Sequence, residues 1–223
     1  MPLLAQRLDN AREAASNREY VSWNGELEGE RVTVTSTGIG CPSAAIAVEE
    51  LYSCGADTFV RVGTAGGMQQ DVLVGDLVIA EAAVRDEGTS AQYVPLAFPA
   101  VADPDVTAAF REGARALGLR HHVGVVHSKD SFYGQREADR MPVAGELAAR
   151  WSAWIRAGVL CSEMEAAAIF VVARVLRARA GGIMLVAGNQ ELEGVRREDA
   201  SLETLLDAAV EGLRRLIQAD RRL

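Results

Sequence analysis

The sequence predicts an α/β fold, a central mixed β-sheet flanked by helices in one layered domain over residues 1–223. Two observations carry this. Runs rich in Val and Ile alternate with Ala-rich amphipathic stretches of ten or more residues, the pattern of strands joined by helical crossovers. Pro tends to open the helical stretches and Gly to close them, as helix termini favour. No low-complexity segment, linker or repeat marks a domain boundary within the 223 residues.

Residues 1–20, MPLLAQRLDNAREAASNREY, are polar and read as helix-like. RVTVTST (31–37) reads as a strand, and PSAAIAVEELYSCG (42–55) as a helix begun by Pro42 and stopped by Gly55. Strands are expected at 57–63 and 76–84, a Pro-to-Gly helix at 104–118 and a strand at 121–128. A helix follows at 144–158, a short buried strand at 158–163 and a helix at 165–179. A strand at 181–189 and an amphipathic helix at 202–217 complete the series. Ligands in such folds gather where loops leave the carboxyl ends of strands.

Composition narrows the function classes. Hydrophobic residues make up 49% and charged residues 24%, as in ordinary soluble proteins. No apolar run reaches the 18 or so residues of a membrane span, and no signal segment opens the chain, so no membrane contact and a cytoplasmic location are expected. A net charge of -8 argues against a nucleic-acid surface. It also leaves the binding of any anionic ligand to a few placed arginines. Cys41, Cys54 and Cys161 lie far apart without metal-ligand spacing and read as reduced structural thiols.

Four segments carry chemistry. STGIGCPSAA (36–45) is a glycine-bearing turn before a helix, where free N–H groups can receive an anion or merely close a turn. In FVRVGTAGG (59–67), Arg61 interrupts an apolar strand. A buried Arg needs a partner, and its planar fork suits phosphate or a carboxylate side chain. Thr64 and the glycine amides beside it favour an anion site. In SKDSFYGQREADR (128–140), Phe132 can stack on a flat ring and Gln135 can match a nucleobase edge. In CSEMEAAAIF (161–170), Glu163 and Glu165 face an otherwise apolar helix start. Capping of the helix dipole is the plain reading. At i and i+2 the two side chains diverge, so one is expected to close a structural pair while the other faces a cavity.

Together and in this order, NREYVSWNGEL, TSTGIGCPSAAIAVEEL, FVRVGTAGG, VGDLVIAEAAVRDEG, SKDSFYGQ and SEMEAAAIF resemble the nucleoside phosphorylase family, closest to its uridine phosphorylase branch. The resemblance runs from about Asn17 onward. It implies a pentosyltransferase of pyrimidine salvage that converts a uridine-like nucleoside and phosphate to free base and ribose 1-phosphate. Inorganic phosphate is the co-substrate and no cofactor is needed.

The resemblance places the phosphate site on Arg61 and Thr64, with Arg18 reaching in from a neighbouring subunit of a homo-oligomer, dimer-based and up to a hexamer. Ribose binding falls on Thr64, Met164 and Glu165. Base binding falls on Phe132, Gln135 and Arg136, with Glu163 near sugar and base. A monovalent cation, potassium, maps to Glu19, Ile39 and Ser43. Arg61, Thr64 and Glu165 are the expected catalytic set.

Two departures stand out. The family begins with a strand and a GDPxR loop that binds phosphate, together with a His that contacts the ribose of a neighbouring subunit; these 223 residues contain neither. Losing a charge-assisted contact costs about 1.5–3 kcal/mol, roughly one to two orders of magnitude in phosphate affinity. The expectation therefore stays open between a start upstream of Met1, impaired phosphorolysis, a nucleoside hydrolase, and a non-catalytic nucleoside-binding or partner subunit. The segment LVAGNQE (185–191) also lacks the Asp of purine-cleaving relatives, which argues against purines and leaves Asn189 without an assigned role.

Overall fold

The computed structural model of the chain describes residues 2–192 and 201–222. It opens with an antiparallel meander of β1 (Asp9–Asn17), β2 (Tyr20–Leu27) and β3 (Glu30–Thr35). The helix expected within residues 1–20 is therefore corrected to a hairpin strand preceded by one 3₁₀ turn at Ala5–Arg7. The composition of β1 favours a helix, but Asp9–Asn17 has only Ala11, Ala14 and Ala15 to bury. A short helix without an apolar stripe gains little from packing, so the hydrogen-bonded ladder to β2 decides. The hairpin turns at Arg18–Glu19, with Asn17 opposite Tyr20 and Arg18 held at φ +54°.

The second sheet has the order β6-β5-β7-β8-β4-β9. Its strands are β4 (Thr58–Gly67), β5 (Leu77–Asp86), β6 (Ala100–Val101), β7 (His121–Lys129), β8 (Cys161–Glu163) and β9 (Arg179–Asn189). A further antiparallel pairing of β5 with β9 curls it into a closed, barrel-like sheet. The pairs β4/β9, β5/β7 and β7/β8 are parallel, whereas β4/β8 and β5/β6 are antiparallel. The predicted mixed sheet with flanking helices is observed.

The helices are α1 (Cys41–Ser53), α2 (Pro104–Ala116), α3 (Phe132–Arg136), α4 (Ala144–Arg156), α5 (Ala166–Val175) and α6 (Leu202–Asp220). Asp103 caps α2, accepting from the N–H groups of Asp105 and Val106, the expected use of an Asp before Pro-initiated helix. α5 is buried from Ala166 to Ala173 and packs with α1 on one side of the sheet, around Phe170, Val171 and Val48. It stops before the predicted 179 because Arg177 turns left-handed at φ +59°. On the other side α2 and α6 cross at Gly113 and Gly212, where a Cβ on Gly113 would meet the Gly212 nitrogen at 2.8 Å. Among the described residues no helix is long and apolar enough to cross a membrane.

Among the described residues the two sheets do not pair with each other. Among those described residues β3 ends its sheet with one edge unpaired, and β4 meets β8 only at Gly66 and Gly67. The remaining length of that β4 edge, Thr58–Ala65, faces a cleft of about 1770 Å3 that β3 also lines. The meander is carried by α6, where Leu8 and Leu27 pack on Val210.

Candidate active site

The site forms where the carboxyl end of β4 meets the start of α5. β4 holds Arg61 beside β9, opposite Gly182, and its guanidinium curls over Gly63, whose missing side chain makes the room: a Cβ there would lie 2.7 Å from Arg61 Nη1. Arg61 Nε lies 2.8 Å from Glu163 Oε2, and Nη2 lies 2.5 Å from Glu165 Oε2. Burial works against the Arg61 charge, but the two carboxylates outweigh it and hold the guanidinium protonated. Nη1 is buried and has no hydrogen-bond partner among the described residues. A planar fork with one free donor is poised for one further acceptor.

The two glutamates divide as their spacing predicts. Glu163 is fully enclosed; its Oε2 accepts from the N–H groups of Glu165 (2.8 Å) and Ala166 (2.9 Å), and Oε1 accepts from Ser128. It thus caps α5 and anchors Arg61 at once. Glu165 keeps some exposure and lines the cleft. Its Oε1 accepts from Gly40 N–H at 2.7 Å, which ties the glycine turn 36–40 to the site.

Thr64 is exposed on the cleft wall, and Met164, Phe132, Gln135 and Arg136 also line it. The segment 132–136, read as loop from the sequence, is the short helix α3, capped by Ser131. Arg136 stacks over the Phe132 ring at 5.4 Å. Gln135 Oε1 accepts from Ser162 Oγ at 2.9 Å, and its Nε2 donates to Gln190 Oε1 at 2.8 Å.

Three predicted residues, Arg18, Glu19 and Ser43, lie apart from this cluster, whereas Ile39 lines the cleft. Arg18 and Glu19 sit exposed at the hairpin tip and do not line the cleft. Ser43, in the first turn of α1, donates to Glu19 Oε1 at 2.8 Å. The carboxyl of Glu19 is held below its usual range by a hydrogen bond from its own backbone and by Ser43. Ile39, in the same turn region, is 79% exposed.

Sequence reasoning missed a polar array behind Gln135. Lys129 ends β7 and is buried, donating to Ser162 Oγ at 2.8 Å. Burial lowers its ammonium pKa to about 8 despite the pull of Glu163 and Glu165. His127 also reaches Ser162 Oγ, and on its other side reaches Asp86. The signal was in the sequence: VVHSK places His127, Ser128 and Lys129 together at the end of an apolar strand. Asn189, left open, is a backbone anchor whose Nδ2 donates to the carbonyls of Gln69 and Val72 at 2.8 Å. Among the described residues no cluster of three His, Cys, Asp or Glu side chains could hold a metal ion.

Fold and cleft together define an α/β scaffold with a charged pocket at the ends of its parallel strands. The chain belongs to the phosphorylase superfamily, whose family model matches residues 1–219. It is 49% identical over 220 residues to a uridine phosphorylase of Treponema pallidum, covering 97% of this chain and 85% of the relative. It is 38% identical to the uridine phosphorylase of Escherichia coli, covering 99% of this chain and 87% of the relative. It is also 39% identical to a guanosine phosphorylase of Halorubrum lacusprofundi, covering 97% and 86%.

Proposed function

We propose that this protein is a pentosyltransferase that cleaves a uridine-like pyrimidine nucleoside by phosphorolysis, yielding the free base and ribose 1-phosphate. The observation that carries this is the buried Arg61 with one free nitrogen beside Glu165, in a chain matched over 97% of its length by a uridine phosphorylase. Phosphate sits at Arg61 Nη1 and the Thr64 hydroxyl. Glu165 holds the ribose hydroxyls, with Met164 against the sugar. The C1′–N bond breaks with its electron pair leaving on the base, and a phosphate oxygen bonds to C1′. Phosphate stabilises the positive sugar in the transition state, while Phe132, Gln135 and Arg136 receive the base as negative charge grows on it. Preorganised donors of this kind contribute roughly 3 kcal/mol each. Glu163 acts from behind, fixing Arg61 and the start of α5.

The exposed hairpin tip fits a role for Arg18 across a subunit interface of a homo-oligomer. Glu19, Ile39 and Ser43 are proposed to hold a potassium ion at that interface. The enzyme works in the cytoplasm. The chain is one nucleoside phosphorylase-like domain in which the family's first strand and GDPxR loop are absent from these 223 residues. The open edges of β3 and β4, which among the described residues line one cleft, support that reading. Uracil and ribose 1-phosphate are followed with and without phosphate. Release of uracil at equal rates in both overturns phosphorolysis in favour of hydrolysis, and nucleoside binding without turnover at high phosphate leaves only a binding subunit. A purine reading is favoured by one observation, the guanosine phosphorylase match; guanosine and inosine beside uridine decide it.

A further inference from the structure

Ser162 Oγ is the meeting point of three side chains: Lys129 Nζ at 2.8 Å, Gln135 Oε1 at 2.9 Å and His127 Nδ1 at 3.0 Å. A hydroxyl has one proton to give and two lone pairs. A charged Lys129 only donates, so it occupies one lone pair. One lone pair and one proton remain for His127 and Gln135.

The far side of His127 is fixed. Its Nε2 lies 3.0 Å from Asp86 Oδ2, and Asp86 is also held by Arg150 Nη1 at 2.6 Å. Burial pushes the Asp86 carboxyl up, but the hydrogen bond from His127 and the charges of His127 and Arg150 outweigh it and keep it ionised. Facing a carboxylate, Nε2 must carry a proton. Trp151 and Trp154 of α4 cover the ring, each with its centroid 6.3 Å away. The charged groups around the array are thus Asp86 on β5, Arg150 on α4, Lys129 on β7, and Glu163 and Glu165 with Arg61 beyond Ser162.

Two proton arrangements satisfy every atom. With Nδ1 protonated, His127 donates to Ser162, and Ser162 gives its own proton to Gln135 Oε1. With Nδ1 bare, His127 takes the Ser162 proton, and the carboxamide of Gln135 must turn over so that Nε2 donates to Ser162, with the Gln190 amide, now 2.8 Å from Gln135 Nε2, turning in step so that its own N–H meets Gln135 Oε1. We propose that His127, acting through Ser162, is the positioning residue that sets which end of the Gln135 amide meets the base, and so which pyrimidine edge the cleft accepts. This rests on the phosphorylase reading. A uracil offers N3–H as donor beside C4=O as acceptor, and a cytosine offers the reverse order, so turning the amide exchanges the favoured edge.

His127→Gln is a non-titrating mimic of the neutral ring. Its Nε2 is held by Asp86, and its oxygen accepts from Ser162. The proposal is tested by 15N NMR of histidine-labelled protein between about pH 5.5 and 7, where Lys129 stays charged, with kcat/KM for uridine and cytidine over the same range. Expected are a protonated Nε2 throughout and a uridine-to-cytidine ratio that changes roughly tenfold at the midpoint where Nδ1 titrates. In His127→Gln the ratio is flat at the high-pH value of the unmodified protein. A ratio that still follows pH in the variant, or stays constant while Nδ1 titrates, overturns the proposal. So does an unprotonated Nε2. If uridine is not cleaved at all, the phosphorylase reading fails by itself. The side-chain amide signal of Gln135 then still decides the point: it moves with His127 in the unmodified protein and stays fixed in His127→Gln, or the proposal is wrong.

Discussion

Glu163 and Glu165 grip the same guanidinium, yet their other partners give them different work. Glu163 holds two backbone N–H groups and Ser128 in full burial, so Glu163→Gln leaves α5 poorly capped and half-unpairs Arg61. Breaking a buried pair costs about 3 kcal/mol or more, and the expected result is a large fall in melting temperature. Glu165 faces the cleft, so Glu165→Gln is expected to lower kcat/KM roughly a hundredfold with a smaller loss of stability. Equal thermal losses for the two variants would sink this division. Lys129 adds a pH effect. Its folded pKa of about 8 lies below the 10.5 of an ordinary lysine, so between those values the unfolded chain binds more protons and stability rises with pH. Lys129→Met removes that burial penalty. It is expected to be more stable than the unmodified chain at pH 7, with the gap closing towards pH 10; urea unfolding at both pH values checks this, and a constant gap contradicts it. The split of the glutamates was legible in the sequence because i and i+2 residues diverge. Of the Asp86–His127–Ser162 array only the VVHSK run could be read there, because its members come from three strands that only the sheet brings together.

At the scale of elements, the hairpin β1–β2 is where local propensity and the fold disagree. Ala, Arg and Glu in β1 read as helix former by former, and only pairing with β2 reveals a strand. Elements with their own apolar pattern, such as α2, α5, β7 and β9, were legible to within a few residues, because burial and caps are written locally. At the hairpin turn, Arg18 holds φ +54°, a conformation costly for any side chain but cheap for glycine. Arg18→Gly is therefore expected to stabilise the fold by up to about 1 kcal/mol while raising the KM for phosphate. Higher melting temperature with an unchanged phosphate KM would deny Arg18 its place in a neighbouring site. The crossing of α2 over α6 makes the opposite demand. A Cβ at Gly113 would sit 2.8 Å from the Gly212 nitrogen, which neither backbone can yield without the helices separating. Gly113→Ala is expected to cost about 1–3 kcal/mol in urea unfolding, with kcat for uridine unchanged because the crossing does not line the cleft.

For the whole molecule, the consequence lies in the groove between the two sheets. β3 ends its sheet, and β4 is unpaired from Thr58 to Ala65 on the edge facing β3. The groove is lined by Val32, Val34, Val60, Val62, Leu213 and Ile217. Open strand edges over apolar side chains are a template for an added strand. The glycine turn that follows β3 and Arg61 of β4 meet at Glu165, so a strand seated along this groove would run beside the proposed phosphate position. A synthetic peptide with about seven β-branched residues followed by Gly-Asp-Pro-Ser-Arg is expected to slow amide hydrogen exchange in β3 and in Thr58–Ala65. It should also lower the phosphate KM roughly tenfold to a hundredfold, the worth of one charge-assisted contact. The same peptide ending in Ala instead of Arg should protect the strands without lowering that KM, which separates filling the groove from completing the anion site. Exchange that stays fast in both strands with either peptide would mean that the groove is not a strand seat.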